Sequence, residues 1–192
     1  MKFQKYMAVG ILGLTMALGF SGCQSENQKN QDAYRKIGIN SMAEGDYDKA
    51  VKSFQKALDT SLGKIGAEEI DICYYKAAAQ FAKKDYDGAI ETYTSLIDYD
   101  KENANAYYLR GSVYLDTDKK DKAFKDYKNA VKYAGREYEI YEGIYENLTN
   151  KGETEEAKNY LKKALDIKPK DGADYAEQGH VYYLLEQSGS GN

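Results

Sequence analysis

Several residue types that carry catalytic or metal-binding chemistry are scarce in this 192-residue sequence, which has one histidine, one proline, two cysteines and no tryptophan. A single histidine, His180, gives little material for a serine or cysteine triad or for a multi-histidine metal site. We therefore predict that the protein is not an enzyme, that it has no catalytic or metal-binding residues, and that His180 lies on a helix surface.

Excess positive charge and nucleotide-binding motifs are also missing. The net charge is −4, and nucleic-acid-binding proteins usually have a basic face, so no nucleic-acid partner is predicted. We predict no strand that could precede a glycine-rich phosphate loop, and hence no cofactor. Asp98, Asp100 and Glu102 alternate as in a calcium loop, but Asn103 replaces the required glycine and Leu109 replaces the closing glutamate. That segment is therefore interpreted as a solvated turn.

Pairs of short amphipathic helices are what the sequence does contain, and residues 104–137 form the clearest pair. Residues that share one helix face recur there at three- and four-residue spacing on both sides of a charged turn over residues 116–121. In the first helix these are Tyr107, Arg110, Gly111 and Tyr114, and in the second Ala123, Phe124, Tyr127, Ala130 and Val131. Two such short helices are only marginally stable alone, so the pair needs neighbours.

Copies of this pair occur along the chain at a fixed period. An alanine followed four residues later by a large apolar residue recurs after 39, 34 and 34 residues, in the pairs Ala50 and Phe54, Ala89 and Tyr93, Ala123 and Tyr127, and Ala157 and Leu161. A period of about 34 residues with helix–turn–helix content is typical of an array of repeats. The longer first interval indicates about five inserted residues between the first and second units.

These positions resemble the tetratricopeptide repeat pattern of an aromatic, a glycine, a tyrosine, an alanine and a further aromatic. The resemblance covers roughly residues 32–185 and implies an all-α fold, a right-handed α-solenoid of about four and a half repeats. It also implies that Gly38, Gly111 and Gly179 allow close approach of a facing helix. For the twenty tyrosines, packing between repeats is favoured over a binding role.

The pattern predicts helices over residues 32–43, 46–59, 70–82, 86–97, 138–150, 153–167 and 171–187, in addition to the pair within residues 104–137. We treat residues 32–187 as one repeat array and residues 188–192 as a flexible tail. The ninth helix ends in Tyr182, Tyr183, Leu184 and Leu185, which is apolar for a terminal helix. Either a partner covers these residues or the natural chain continues.

The start of the chain reads as an export signal rather than as part of the fold. Lys2 and Lys5 precede an uncharged run over residues 7–20 that is too short to span a membrane. Phe20, Ser21, Gly22 and Cys23 then resemble a bacterial lipobox, which implies that residues 1–22 are removed, that Cys23 is lipidated and that the protein is extracytoplasmic. An ordinary signal peptide that leaves Cys23 as a free thiol is the alternative. Residues 23–31 are polar and are predicted to be a tether.

Tetratricopeptide arrays use a concave groove lined mainly by the first helix of each pair, so the resemblance also implies a partner-binding surface. It would run from an apolar, aromatic section to an acidic section, and suit a peptide with apolar and basic residues. The glutamates could equally be a solvated face. The implied residues are Arg35, Ile39, Met42, Tyr74, Ala78, Phe81, Asn105, Tyr108, Ser112, Leu115, Glu139, Glu142 and Glu146.

The sequence thus favours a membrane-anchored lipoprotein whose repeats mediate protein–protein interactions in the bacterial cell envelope. Two other functions remain open: a structural subunit of an envelope assembly complex, and a carrier that binds a small molecule or glycan in a tyrosine-rich groove. The predicted partners are a protein or peptide and, through Cys23, the membrane. The sequence does not indicate an oligomeric state.

Overall fold

The computed structural model describes residues 25–189, which form nine α-helices and no β-strand. The helices are α1 (Glu26–Ala43), α2 (Tyr47–Thr60), α3 (Ala67–Ala82), α4 (Tyr86–Tyr99), α5 (Ala104–Asp116), α6 (Lys120–Tyr133), α7 (Tyr138–Asn150), α8 (Thr154–Leu165) and α9 (Gly172–Gly189). Four helix–turn–helix pairs followed by a single helix confirm the predicted all-α repeat fold.

The first helix begins earlier than the sequence pattern predicts. Ser25 accepts a hydrogen bond from the Gln28 backbone amide and caps α1, so residues 26–31 are helical and not an extended tether. Those residues are polar, and Gln31 is nevertheless buried against α3. The spacing of apolar residues cannot predict helix over residues 26–31, since all six are polar.

The turns inside the four pairs share one backbone geometry. Gly45, Lys84, Asp118 and Gly152 adopt φ angles of 79°, 67°, 58° and 81°, and they follow one another at the repeat spacing. Asp46 and Asp85 then cap the second helices by accepting hydrogen bonds from Lys49 and Gly88 backbone amides. The left-handed residue therefore recurs in all four turns, whereas a side-chain cap follows it only in the first two pairs.

The insertion predicted between the first and second pairs forms an irregular connection over residues 61–66, here called the 61–66 loop. Leu62 and Gly63 adopt φ angles of 55° and 78° within it. Glu69 accepts a hydrogen bond from the Gly66 backbone amide at 2.8 Å and so closes the loop onto the first turn of α3.

The described residues divide into two compact units, one ending at Asp100 and the other beginning at Lys101. In the first unit, α2 packs against both α1 and α3, and α3 packs against α4. Its core contains Ala50, Phe54 and Ala57 of α2 together with Ile72 and Ala79 of α3. Gly38 allows the close approach that the sequence implies, since a Cβ atom there would lie 2.5 Å from the Phe54 ring.

In the second unit, α5 pairs with α6, α7 pairs with α8, and α9 packs on α8. Gly111 again faces an aromatic ring, because a Cβ atom there would lie 2.8 Å from Tyr127. The implied role of Gly179 is wrong. A Cβ atom at Gly179 would meet nothing within 4 Å, since α9 is followed by no second helix in the described chain.

Several sequence-based predictions fall outside the described residues. These are the signal peptide over residues 1–22, the lipidation of Cys23 and the last three residues of the predicted tail, 190–192. The first two residues of that tail, Ser188 and Gly189, are described and belong to helix α9. Within residues 25–189, no helix combines the length and the apolar character needed to cross a bilayer.

Candidate functional site

The groove residues implied in the first unit lie on α1 and α3, which are the first helices of their pairs. Arg35, Ile39, Met42, Tyr74 and Phe81 are half-buried, whereas Ala78 is buried. On each helix the residues lie three or four positions apart and therefore share a face. We call Ile39, Met42, Tyr74 and Phe81 the apolar face of the first unit.

Arg35 is occupied by an ion pair within the fold. Its Nε donates to Asp71 Oδ2 of α3 at 2.9 Å, its Nη2 contacts the same oxygen, and its guanidinium carbon lies 5.3 Å from the centre of the Tyr75 ring. Such a bound guanidinium fixes α1 against α3. It is not a side chain held ready for a partner's carboxylate.

The two aromatic residues of the apolar face are oriented by neighbours on α4. The Tyr74 ring centre lies 6.3 Å from that of Tyr93, and the Phe81 ring packs edge-on against Tyr86 at 5.6 Å. Rings held on one side and accessible on the other lose little entropy when a partner covers them.

In the second unit, most of the implied groove residues on α5 belong to the core. Tyr108, Ser112 and Leu115 are buried, and only Asn105 is half-buried. Tyr108 lies under Gly143 of α7, where a Cβ atom would come within 2.3 Å of its hydroxyl oxygen. Helix α7 covers Tyr108 at Gly143 and Ser112 at Asn147, and Leu115 is buried as well, so these side chains do not line an open surface.

A buried polar network joins three helices of this unit. Asn147 of α7 donates to Ser112 Oγ at 2.7 Å and to the Tyr127 hydroxyl at 3.3 Å, and that hydroxyl lies 3.4 Å from Ser112 Oγ. The sequence-based predictions did not include this network. The available signal was Ser112, a short polar residue within an otherwise apolar helix face. Because a buried polar group needs a hydrogen-bonding partner, such a residue predicts one nearby.

A second buried polar contact links α5 to α6. Arg110 donates through Nε and Nη2 to the two carboxylate oxygens of Asp126 at 2.7 and 2.9 Å, and Asp126 is only 3% exposed. The guanidinium carbon also lies 5.7 Å from the centre of the Tyr107 ring and 5.9 Å from that of Tyr114. This bidentate pair fixes the helical hairpin, so Arg110 has a structural role.

The three implied glutamates lie along α7 in different environments. Glu139 is exposed, whereas Glu142 and Glu146 are half-buried. Glu142 Oε1 lies 2.8 Å from His180 Nδ1 of α9, and burial raises the pKa of Glu142 against the opposing effect of His180. Helix α9 therefore engages the middle of the acidic row, which the sequence did not indicate.

His180 lies on a helix surface, as predicted, and Cys73 lies within α3. His180 is exposed and stacks on Tyr183 at a ring separation of 6.4 Å. Cys73 is half-buried, and burial raises the pKa of its thiol, which leaves less of the reactive thiolate at neutral pH. No group of three or more histidine, cysteine, aspartate or glutamate side chains within residues 25–189 could hold a metal ion.

A shallow surface pocket of about 470 Å³ lies between α6 and the start of α8. It is lined by Phe124, Gly152, Glu153, Thr154, Glu155 and Glu156. The carboxylates would disfavour an anion at this helix start.

Comparison with protein families finds tetratricopeptide repeats along most of the described chain. Tetratricopeptide repeat profiles match residues 35–93, 104–136 and 146–171, and a TPR repeat profile matches residues 77–118. Together they cover more than half of the chain and confirm the repeat pattern. No curated protein matches the chain.

Solved structures of repeat proteins resemble the fold. A crystal structure of MamA has 26% identity and a TM-score of 0.56, over 72% of this chain and 78% of that one. MamA from Desulfovibrio magneticus RS-1 has 22% identity and a TM-score of 0.56, over 74% and 76%. A thermophilic TPR protein of Thermus thermophilus has 17% identity and a TM-score of 0.56, over 81% and 82%. The last two likenesses concern the fold alone.

Proposed function

The chain belongs to the tetratricopeptide-repeat proteins, a family of generally non-enzymatic interaction scaffolds, and we propose that it is a lipid-anchored lipoprotein of the bacterial envelope whose repeats bind a protein partner. The apolar face of the first unit is the observation that carries the binding proposal. Four apolar or aromatic side chains remain partly accessible there on two neighbouring first helices. Large, oriented aromatic residues are common anchors of protein interfaces.

The charge of the second unit suggests the chemistry of the partner. Glu139, Glu142 and Glu146 form an acidic row on α7, which would favour a segment containing lysine or arginine. Glu139 and Glu146, at the two ends of the row, are the positions to test. The competing interpretation is that the row is a solvated face with no partner.

Lipidation of Cys23 is the proposed means of membrane attachment. The Phe20-Ser21-Gly22-Cys23 sequence after an uncharged run supports it. One acyl chain binds a membrane only marginally, whereas two or more chains anchor a protein stably. A diacylglyceryl group on Cys23 would therefore hold the protein without help from the acidic repeats.

Crosslinking followed by purification from membranes tests the binding surface. The wild type is compared with a Tyr74→Ala/Phe81→Ala variant whose thermal unfolding is checked first. Tyr99→Ala is the matched control, because Tyr99 is an exposed aromatic residue at the end of α4 in the same unit. We expect a protein that is recovered with the wild type and the control but not with the double variant.

Other results would favour the other functions. A partner recovered equally with all three proteins would place the interface away from the apolar face. A complex of fixed stoichiometry would favour a structural subunit of an envelope assembly. No recovered protein, together with a ligand-dependent rise in the melting temperature, would favour a carrier of small molecules or glycans.

Charge reversal tests the acidic row. A Glu139→Lys/Glu146→Lys variant should bind a basic partner segment more weakly and with a smaller dependence on salt, because attraction between charges is screened by ions. Glu44→Lys is the control, since Glu44 is an exposed glutamate of the first unit. Unchanged affinity would support the solvated-face interpretation.

Replacing Cys23 tests the anchor. A Cys23→Ala variant should leave the membrane fraction, and the mass of the wild-type N-terminal peptide should show an acylated cysteine. A variant that stays in the membrane fraction, or a wild-type peptide without acyl chains, would contradict the proposed lipidation.

A further inference from the structure

The 61–66 loop has apolar side chains that its position in the fold does not explain. Leu62 is 76% exposed and Ile65 is 57% exposed. Only one other large aliphatic side chain in the described chain, Ile37, is counted among the exposed residues. Two of these three exposed aliphatic residues therefore lie in one four-residue stretch of a short loop. Their exposure is clustered, unlike the single exposed apolar residues that are normal on a protein surface.

The backbone of the loop turns these side chains outward. Leu62 adopts a left-handed φ of 55°, which a residue with a side chain rarely does, and Gly63 continues the turn at 78°. The Lys64 backbone amide donates to the Ser61 carbonyl at 3.2 Å and closes the turn. Lys64 is exposed between the two apolar residues. At a membrane surface, a lysine in this position could keep its charge at the lipid headgroups while the neighbouring apolar side chains lie deeper.

The loop lies at the end of the first unit where α1 begins. Helices α1 and α2 run antiparallel, since Lys56 Nζ lies 5.5 Å from the centre of the Tyr34 ring and Gly38 faces Phe54. The start of α1 at Glu26 therefore lies at the same end of the hairpin as the end of α2 at Thr60, which the 61–66 loop follows. Gln31 also donates to Glu69 at 2.7 Å, which places the first turns of α3 at the same end.

The early start of α1 brings this end close to the proposed anchor. Ser25 caps the helix and is two residues from Cys23. Each residue spans at most about 3.6 Å, so the two Cα atoms lie within about 7 Å of each other in any conformation. No long tether therefore separates the lipidated residue from the loop-bearing end of the fold.

We propose that the 61–66 loop is a second membrane contact, in which Leu62 and Ile65 enter the lipid interface and fix the orientation of the first unit on the bilayer. The proposal rests on the acylation of Cys23 proposed above. Two apolar side chains would bind a membrane only weakly on their own. Next to an anchor the same contact is effectively intramolecular and forms at a high local concentration.

Fluorescence quenching by spin-labelled lipid tests this contact. The full acylated chain, with Cys73→Ala, is reconstituted into vesicles of phosphatidylethanolamine and phosphatidylglycerol, and a nitrobenzoxadiazole label is attached at Lys64→Cys. The matched control carries the label at Glu44→Cys, an exposed position in the turn at the opposite end of α1. We expect several-fold stronger quenching at position 64, and a fall to the control value after Leu62→Gly/Ile65→Ser.

Leu62→Gly suits this test because glycine accepts the left-handed conformation, so the loop keeps its shape. Equal quenching at positions 64 and 44 in acylated, vesicle-bound protein would overturn the loop contact and leave the anchor intact. Quenching at position 64 that survives the double substitution would overturn the roles of Leu62 and Ile65. A mass spectrum without acyl chains would overturn the anchor, and the loop contact with it.

Discussion

Gly111 lies against an aromatic ring that leaves no room for a side chain. An added Cβ atom would lie 2.8 Å from two atoms of the Tyr127 ring, which is itself fully buried. We predict that Gly111→Ala lowers the free energy of unfolding by about 1–3 kcal/mol, as overpacking of a core usually does. Denaturant unfolding of the purified domain would measure the change.

Gly179 is the matched control, because it occupies the equivalent repeat position but faces open space. It is an exposed residue inside α9, where alanine is a better helix former than glycine. Gly179→Ala should therefore raise the free energy of unfolding of that helix by about 0.5–1 kcal/mol. Similar effects of the two substitutions, in either direction, would show that packing does not distinguish the sites.

The carboxyl group of Glu68 gives the first unit a dependence on pH. Burial raises its pKa to about 7, helped by the hydrogen bond and repulsion from Asp32 and by Glu69, while Arg35 acts in the opposite direction. Between pH 4.5, the ordinary value, and about 7, the folded protein keeps a proton that the unfolded chain loses. Stability from this group should therefore be complete at low pH and fall as the pH rises through this range.

We predict that Glu68→Gln flattens this part of the pH profile and raises the melting temperature at pH 8. Glutamine is neutral and can still donate a hydrogen bond to Asp32, so it keeps the contact and removes the repulsion. Glu91→Gln, which makes the same change at an exposed position of α4, is the control. A profile that keeps its slope in the Glu68 variant would assign the pH dependence to other groups.

At the scale of the elements, the four turns inside the helical pairs differ in how well their residues suit the backbone. Gly45 and Gly152 occupy the left-handed position in two turns, whereas Lys84 and Asp118 occupy it in the other two. We predict that Lys84→Gly raises the free energy of unfolding by about 0.5 kcal/mol, since glycine avoids the steric penalty but gains entropy when unfolded. Thermal unfolding of the variant beside the wild type would test it.

Lys84→Ala provides the control, because it removes the same side chain but keeps the unfavourable conformation. It should give no gain, and Gly152→Ala should lower the free energy of unfolding by about 1 kcal/mol. An equal gain from alanine and glycine at position 84 would show that the lysine side chain, and not its backbone angle, is the cause.

The helical pairs were predictable because their signals are local. Residues 138–150 were predicted as a helix and form one over the same range, and Gly45 and Gly152 mark the predicted turns. The start of α1 was not predictable from apolar periodicity, since residues 26–31 are held by the Ser25 cap and by Gln31 of α1 bonding to Glu69. A polar helix end depends on partners distant in sequence.

The candidate site was predictable only as a set of helix faces. The repeat pattern placed Tyr108 and Ser112 on the partner-binding side of α5, but both are covered in the fold. Gly143 allows Tyr108 to pack against α7, and Asn147 bonds to Ser112. Which face stays accessible is decided by such contacts between helices, and the periodicity of one helix does not contain that information.

At the scale of the whole molecule, repeat arrays are stabilised by contacts between neighbours, so their ends are the least stable parts. Helix α9 is the last helix of the described residues. Of its 18 residues only Val181 is buried, while Tyr175, Tyr182 and Tyr183 are exposed. Its contacts to the rest of the unit include the Glu142–His180 hydrogen bond and the donation from Gln178 to the Ile167 carbonyl at 2.6 Å.

We predict that the amide hydrogens of residues 172–189 exchange with solvent sooner than those of residues 138–165, because a helix with one buried side chain opens locally at little cost. Val181→Ala should speed exchange in α9 further and leave α7 and α8 unchanged. Hydrogen exchange followed by mass spectrometry at several protein concentrations would measure both effects. Protection of α9 equal to that of α7 would contradict the prediction. Protection of α9 that falls on dilution would show that a second copy of the chain covers Tyr182 and Tyr183. Protection that is independent of protein concentration would show that contacts within the chain hold α9.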